Sequence, residues 1–150
     1  MSWGEDHAIG GSWPLSDQHR HFELGHVLNS AIVEAIDPED VGLLSYQHAG
    51  LWECNLADGT LIWSGGVYDI FGLERRTPVT RDQILAHYTE ESRARLEGLR
   101  SYAIRNQRGF TLDVEIRTAA VGARRRVRLI GAPVCVNDVA VRLHGLKLAL

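Results

Sequence analysis

The chain has 150 residues, of which 45% are hydrophobic, which suits one globular domain with an extension and excludes two full domains. Its formal net charge of −3 is unevenly distributed, because residues 1–49 carry eight acidic residues and one basic residue, whereas residues 50–150 carry eleven acidic and fifteen basic residues. No apolar run approaches the ~18 residues of a membrane helix, and the N-terminus lacks a signal-peptide pattern, so we expect a cytoplasmic protein without membrane contact.

The N-terminal third reads as an arm in two parts. Residues 1–15 contain several glycines and no periodic apolar pattern, which predicts a flexible segment. Residues 16–45 form a predicted helical extension, in which Ser16 is a good N-cap for a helix over about residues 17–35. This helix has an apolar face that must pack on another surface, and we predict it as an interface: Leu24, Val27, Leu28, Ala31, Ile32 and Ala35.

Residues 50–72 have the pattern of a hairpin followed by a short helix. Apolar and polar residues alternate over residues 51–56, and Asp58-Gly59 is typical of a tight turn before a second strand over residues 60–63. Ser64 is a plausible N-cap for the helix, and Gly72 is placed to end it.

The remaining residues predict two helices and three strands. A short helix is expected over residues 81–88, and Thr89 can cap a long helix over about residues 90–106. The period-two pattern of residues 110–116 predicts a strand, and two further strands are expected over residues 124–136 and 139–148. The turns between these three strands fall at Val121-Gly122 and Asn137-Asp138.

The hairpin resembles the opening of a PAS domain of the subclass with a tryptophan on each of its first two strands. The residues that carry the resemblance are Trp52, Trp63 and the run V-Y-x-I-F-G-L that starts at Val67. The resemblance covers residues 46–148, and we place the domain at residues 46–150. It implies an α+β fold in which helices cover one face of a five-stranded antiparallel sheet, here preceded by an N-terminal amphipathic helix.

PAS relatives often enclose a ligand pocket between the sheet and the helices, and the resemblance implies one here. The residues predicted near it are Trp63, Tyr68, Phe71, His87, Tyr88, Leu99, Tyr102, Leu112 and Val127. The cysteine motif of the light-sensing subclass is absent, and the long helix has no histidine to ligate haem as in the oxygen-sensing subclass. Neither a covalent flavin nor haem is therefore expected, and the sequence identifies no other cofactor.

No catalytic or metal-binding motif is recognisable. Cys54 and Cys135 fit no disulfide or metal framework, and no nucleophile elbow or phosphate loop occurs, so we do not expect an enzyme. Four arginines, Arg124, Arg126, Arg128 and Arg142, offer a basic stripe that could bind nucleic acid, but the mildly acidic chain favours contact with protein.

The resemblance implies a sensor or adaptor that signals by association, as a homodimer or with a regulatory protein, through the N-terminal helix and the sheet face. The alternative is a small-molecule or cofactor receptor domain cut from a larger sensor histidine kinase. The acid-hydroxyl exit motif that commonly precedes a kinase or cyclase is replaced here by Gly145-Leu146-Lys147-Leu148.

Overall fold

An antiparallel sheet with helices on one face forms the domain in the computed structural model, which describes residues 10–22, 49–120 and 123–150. Within these ranges the strands are β1 (Ser12–Pro14), β2 (Ala49–Asn55), β3 (Leu61–Trp63), β4 (Arg108–Arg117), β5 (Arg124–Val136) and β6 (Val139–Ala149). The α-helices of residues 49–150 are α1 (Gly65–Phe71), α2 (Arg81–Leu85) and α3 (Glu90–Asn106), and a 3-10 helix spans Leu15–Asp17. The strand order is β1-β4-β5-β6-β2-β3. The α+β fold predicted from the sequence is confirmed, with β1 as an additional strand.

The β2–β3 hairpin forms where the sequence predicts it. The backbone N–H of Asn55 donates to the carbonyl of Thr60 at 2.9 Å, and Gly59 in the turn has a φ of +75°. Glycine adopts this left-handed conformation without strain. Ser64 precedes α1 but makes no capping hydrogen bond, because its hydroxyl accepts from the N–H of Leu51 at 3.0 Å. The side chain therefore ties the start of α1 to β2.

The helix ends follow from recognisable caps. Gly72 ends α1 with a φ of +70°, and the guanidinium of Arg125 donates to the carbonyls of Asp69 and Ile70 at 3.0 and 2.8 Å. Thr80 begins α2 with a capping box to Gln83. This helix ends at Leu85 and not at Tyr88 as predicted, because residues 86–88 turn to bring Tyr88 against Ile116 of β4.

The last three strands match the sequence prediction closely. Asn137 and Asp138, with φ of 51° and 65°, join β5 to β6, and two consecutive positive φ angles are the conformation of a type I′ hairpin turn. The predicted turn at Val121-Gly122 lies outside the described residues. α3 spans the range that the sequence predicts, and its mid-helix Gly98 faces open space.

The sheet has two differently covered faces. The inner face lies under the helices and holds the main core, whose fully buried large side chains include Phe71, Phe110 and Ile116. The outer face carries a smaller apolar cluster: Trp13, Ala49, Ile130, Ala132, Leu146 and Leu148, with Leu15 and Phe22 packed against it. Residues of the N-terminal segment thus cover part of the outer face.

The prediction of a flexible segment over residues 1–15 is wrong for Ser12–Pro14. These residues pair with the edge of β4, and Trp13 is only 5% exposed. The Trp13 indole donates to the hydroxyl of Thr111 at 3.1 Å and stacks on His21 at 4.1 Å between ring centroids. Residues 18–22 are helical, whereas the predicted interface residues from Leu24 to Ala35 lie outside the described residues.

Candidate ligand pocket

A cavity of about 60 Å³ lies between the inner face of the sheet and the helices. Its walls are largely apolar, and the charged side chains on them are all basic. The lining residues are Trp52, Cys54, Leu61, Arg81, Ile84, Leu85, Tyr88, Leu96, Arg100, Phe110, Leu129, Leu143 and Lys147. In the part of the chain that the structure describes, the cavity wall therefore contains three basic residues and no carboxylate.

Lys147 is the only lysine in a chain that has fifteen arginines, and it is 7% exposed. It lies on β6 opposite Gly50 of β2 and Leu129 of β5. Because side chains alternate along a strand, this register places Lys147 on the inner face with Leu143. The single lysine is thus held in the core.

Three aromatic rings surround the ammonium of Lys147. Its Nζ lies 5.6, 5.2 and 5.1 Å from the ring centroids of Trp52, Trp63 and Phe71. The rings of Trp63 and Phe71 stack on each other at 5.0 Å. We call these three rings the aromatic cage. Cation–π attraction to it offsets part of the cost of burying the charge.

The ammonium has a single hydrogen-bond partner in the described part of the chain. Lys147 donates to the hydroxyl of Tyr88 at 3.4 Å, a long hydrogen bond. Burial lowers the pKa of Lys147 to about 7, although the nearby Cys54 acts in the opposite direction. Burial also raises the pKa of Tyr88 well above its usual value, while Arg81 opposes that rise. Tyr88 therefore stays a neutral phenol and cannot act as a counter-ion.

Two guanidinium groups share the cavity wall. Arg81 forms an ion pair with Glu97, and its pKa is lowered mainly by burial and further by the like charge of Arg100. Arg100 has no ion-pair partner among the described residues. Positive charge on this wall is thus only partly compensated.

The other polar groups near the cavity are mainly hydrogen-bond donors. The indole N–H groups of Trp52 and Trp63 are buried without an acceptor in the described part of the protein. Cys54 is a buried free thiol, whose sulfur lies 3.7 Å from the carbonyl of Asn55. An indole N–H can only donate, and an ammonium has no acceptor site. Among the described residues, the site therefore has more hydrogen-bond donors than acceptors, and the Tyr88 hydroxyl is the acceptor that Lys147 uses.

The structure distributes the nine predicted pocket residues over four environments. Tyr88 lines the cavity, and Trp63 and Phe71 belong to the aromatic cage. Three others are buried in the same core: Leu99, Leu112 and Val127. The remaining three lie further out, since Tyr68 donates to the Thr77 carbonyl, His87 contacts the Arg117 carbonyl and Tyr102 is half-buried. A ligand-binding role for these residues stays a prediction.

Sequence reasoning did not identify Lys147, Arg81 or Arg100 as pocket residues. One signal was available for Lys147, because it is the only lysine of the chain and lies between Leu146 and Leu148 at the apolar end of β6. No signal in the sequence marked the two arginines: Arg81 is the first residue of the short helix α2, and Arg100 is one of several arginines on α3. Among the described residues, no group of three His, Cys, Asp or Glu side chains could hold a metal ion.

The four arginines of the stripe on the outer face pair with three carboxylates of neighbouring strands. Arg128 forms two hydrogen bonds with Asp113, at 2.8 and 3.0 Å. Arg126 also approaches Asp113, while Arg124 pairs with Glu115 and Arg142 pairs with Glu53. These cross-strand pairs give the alternating arginines a role within the sheet.

Comparison with known proteins identifies the fold. No protein-family model and no curated protein matches the sequence. An RNA-binding light-oxygen-voltage receptor resembles the structure with a TM-score of 0.60 and 14% sequence identity. That match covers 69% of this chain and 29% of the receptor chain, so this chain corresponds to less than a third of the receptor's length.

Two further solved structures are similar over more of their own length. A sensory box histidine kinase/response regulator from Burkholderia thailandensis matches with a TM-score of 0.59 and 22% identity, covering 68% of this chain and 76% of that one. The N-terminal domain of a diguanylate cyclase with PAS/PAC sensor from Marinobacter aquaeolei has a TM-score of 0.60 and 12% identity, with coverages of 67% and 94%. The chain therefore has the PAS fold.

Proposed function

We propose that this chain is a sensory PAS module that binds a small molecule in the cavity beside the aromatic cage. The observation that carries the proposal is the buried Lys147 next to that cavity. A lysine used only for packing could be replaced by a hydrophobic residue at no cost, whereas a buried charge without a counter-ion is destabilising. Recognition of a ligand would explain why a lysine occupies position 147. The resemblance to sensor proteins supports the same function.

Ligand binding by the full chain tests this proposal. A panel of small acids, amines, alcohols and amides would be screened for thermal stabilisation, because a ligand that binds only the native state raises the melting temperature. Hits would be confirmed by competition and by native mass spectrometry. At least one class should bind at a single site and lose affinity when Leu96, on the cavity wall, is enlarged to phenylalanine. The proposal fails if no class binds, or if binding is insensitive to that change.

We also propose that the module passes on its signal by associating with a second copy or a regulatory protein. Two observations favour the outer face as part of this surface. Leu51 and Ile62 are 41% and 61% exposed there, and the acidic arm complements the basic domain in charge. The predicted helix face from Leu24 to Ala35 would complete the contact. We expect this signalling in the cytoplasm and without catalysis by the domain itself.

Light scattering on the full chain tests the homodimer. The double variant Leu28→Glu and Ile32→Glu places charge on the predicted helix face and should convert a dimer to a monomer. Glu91→Gln on the exposed start of α3 serves as a control that changes charge elsewhere. A wild-type chain that is monomeric at all concentrations would reject the homodimer and leave only a different protein as partner.

Among the described residues, no helix is long and apolar enough to cross a membrane.

A further inference from the structure

We propose that the cavity selects a small organic carboxylate, and that the Lys147 ammonium is its counter-ion. This inference deepens the proposed ligand-binding function and rests on it. It names the chemical class of the ligand, a compact anion with a short apolar body, and the residue that recognises its charge.

The charge distribution around Lys147 favours an anionic ligand. Each element packed around the site contributes a cation or an uncharged group: β2 contributes Cys54, α2 contributes Arg81, α3 contributes Arg100, and Tyr88 follows α2. No Asp or Glu of residues 10–22, 49–120 and 123–150 lines the cavity. A carboxylate placed there would supply an opposite charge inside the cavity, because Glu97 pairs with Arg81 but does not line the cavity.

The hydrogen-bonding groups around Lys147 also favour an anionic ligand. The ammonium of Lys147 has three N–H donors, and with the described residues it makes one hydrogen bond, to Tyr88. The aromatic cage attracts the charge but accepts no conventional hydrogen bond. A carboxylate has two oxygens that accept several hydrogen bonds, and such bonds to a charged donor are about twice as strong as neutral ones. Donors without acceptors therefore match an anion better than an amine.

The size of the cavity limits the ligand. A volume of about 60 Å³ holds about four to six water-sized groups, at roughly 10–15 Å³ for each. This is the size of a short-chain carboxylate and is too small for a nucleotide or a flavin. Leucines on the cavity wall, Leu61, Leu96 and Leu143, suit an aliphatic body. A short aliphatic monocarboxylate therefore fits better than a phosphate, which is polar on every side.

The first experiment compares butyrate with butyramide, which has the same shape and size but no charge. Binding to the full chain would be measured by isothermal titration calorimetry at pH 6, about one unit below the pKa of Lys147, where its amine is largely protonated. We expect butyrate to bind at least about tenfold more tightly than butyramide, as a charge-assisted contact in a dry site requires. Equal affinities for the two compounds would overturn the inference.

Variants locate the recognition at Lys147. Lys147→Met keeps the length and the apolar part of the side chain and should abolish the preference for butyrate. Arg142→Gln removes a cation from the outer face, where Arg142 pairs with Glu53, and should leave the preference unchanged. If Lys147→Met retains the preference for butyrate, the inference is wrong.

A measurement on the wild-type chain avoids any dependence on the folding of a variant. Because Lys147 is the only lysine, selective isotope labelling gives one side-chain ammonium signal for NMR titration. Saturating butyrate should raise the pKa of this group by one unit or more, and butyramide should not, because a bound anion stabilises the charged form. A pKa that is the same with and without butyrate would overturn the inference.

These outcomes separate the ligand class from the function itself. If butyramide or another neutral compound binds at the cavity as well as butyrate, the chain is still a small-molecule receptor and only the anion preference fails. If no compound of any class binds, the proposed function fails together with the inference.

Discussion

Trp13 and Gly109 lie directly opposite each other on β1 and β4, and a Cβ atom at Gly109 would overlap the six-membered ring of Trp13. The indole therefore occupies the space that any other residue at position 109 would fill. An aromatic residue that covers a glycine on a neighbouring strand shields the backbone and fixes the register of the pair. This contact holds the N-terminal segment on the sheet edge.

Gly109→Ala should destabilise the docking of β1, because the added methyl group displaces the Trp13 ring. We expect a loss of about 1–3 kcal/mol in the free energy of unfolding, which is typical of overpacking, together with faster amide exchange in Ser12–Pro14. Gly98→Ala is a matched control, because Gly98 faces open space in α3, and it should stabilise the chain by about 0.5–1 kcal/mol. Equal effects of the two substitutions would contradict this account of Gly109.

Lys147→Met should stabilise the ligand-free protein below pH 7. Below this pH the lysine is charged in both the native and the unfolded state, and its burial costs free energy that methionine does not incur. Each unit by which the native pKa is lowered corresponds to about 1.4 kcal/mol, so a pKa of about 7 in place of 10.5 predicts a gain on the order of several kcal/mol. Chemical denaturation of the wild-type protein and the variant at pH 6 measures this difference in the free energy of unfolding.

The advantage of Lys147→Met should shrink as the pH rises. Between pH 7 and 10.5 the unfolded chain binds a proton at Lys147 that the native chain does not, so the stability of the wild-type protein rises with pH in this window. The difference between wild type and variant isolates Lys147 from the other groups that titrate there. A difference that is constant from pH 6 to 9 would show that the ammonium is not desolvated in the native state.

Phe71→Leu should lower the pKa of Lys147 further. The Phe71 ring lies 5.1 Å from Nζ and favours the charged form, and its replacement by an apolar side chain removes that attraction. A contribution of about 0.5–2 kcal/mol predicts a change of roughly 0.4–1.5 pKa units, observable in the single lysine signal. Val67→Ala changes a buried residue of the same helix outside the cage, and an equal shift in that variant would indicate a general loosening of the core.

The sequence predicted the strands and helices of residues 49–150 well because local signals agreed there. The alternation in β4 and the turn residues at Asp58-Gly59 and Asn137-Asp138 determine structure within a few residues. β1 escaped prediction because it depends on a long-range contact: Trp13 is buried only after β4 has brought Gly109 to the same edge. The residues around β1, which include Gly10 and Gly11, have no local sequence pattern that indicates pairing with β4.

The pocket was less predictable than the fold for a related reason. Trp63 and Phe71 could be predicted near the pocket, because they are large apolar residues in or next to the hairpin and such side chains are expected in a core. The register of β6 against β2 and β5 decides which face Lys147 occupies, and a shift of one residue would have placed it on the outer face. The sequence alone does not determine that register, so the position of Lys147 beside the cavity is seen only in the structure.

Asp113→Asn should destabilise the protein more at neutral pH than in acid. Hydrogen bonds from Arg128 hold the pKa of Asp113 below its usual value, although burial opposes them. A carboxyl group with a lowered native pKa contributes stability above its unfolded pKa, and this contribution is lost as the pH falls through the native value. The pair is partly solvated, so we expect Asp113→Asn to lower the free energy of unfolding by only about 0.5–1 kcal/mol at pH 7, and by less below pH 3.

The control is Asp138→Asn, in the β5–β6 turn, where asparagine also tolerates the positive φ. This variant should have little effect on stability at either pH. If both variants lose the same stability at pH 7, then the cross-strand pairs of the arginine stripe do not stabilise the sheet, and their role on the outer face would have to lie in binding.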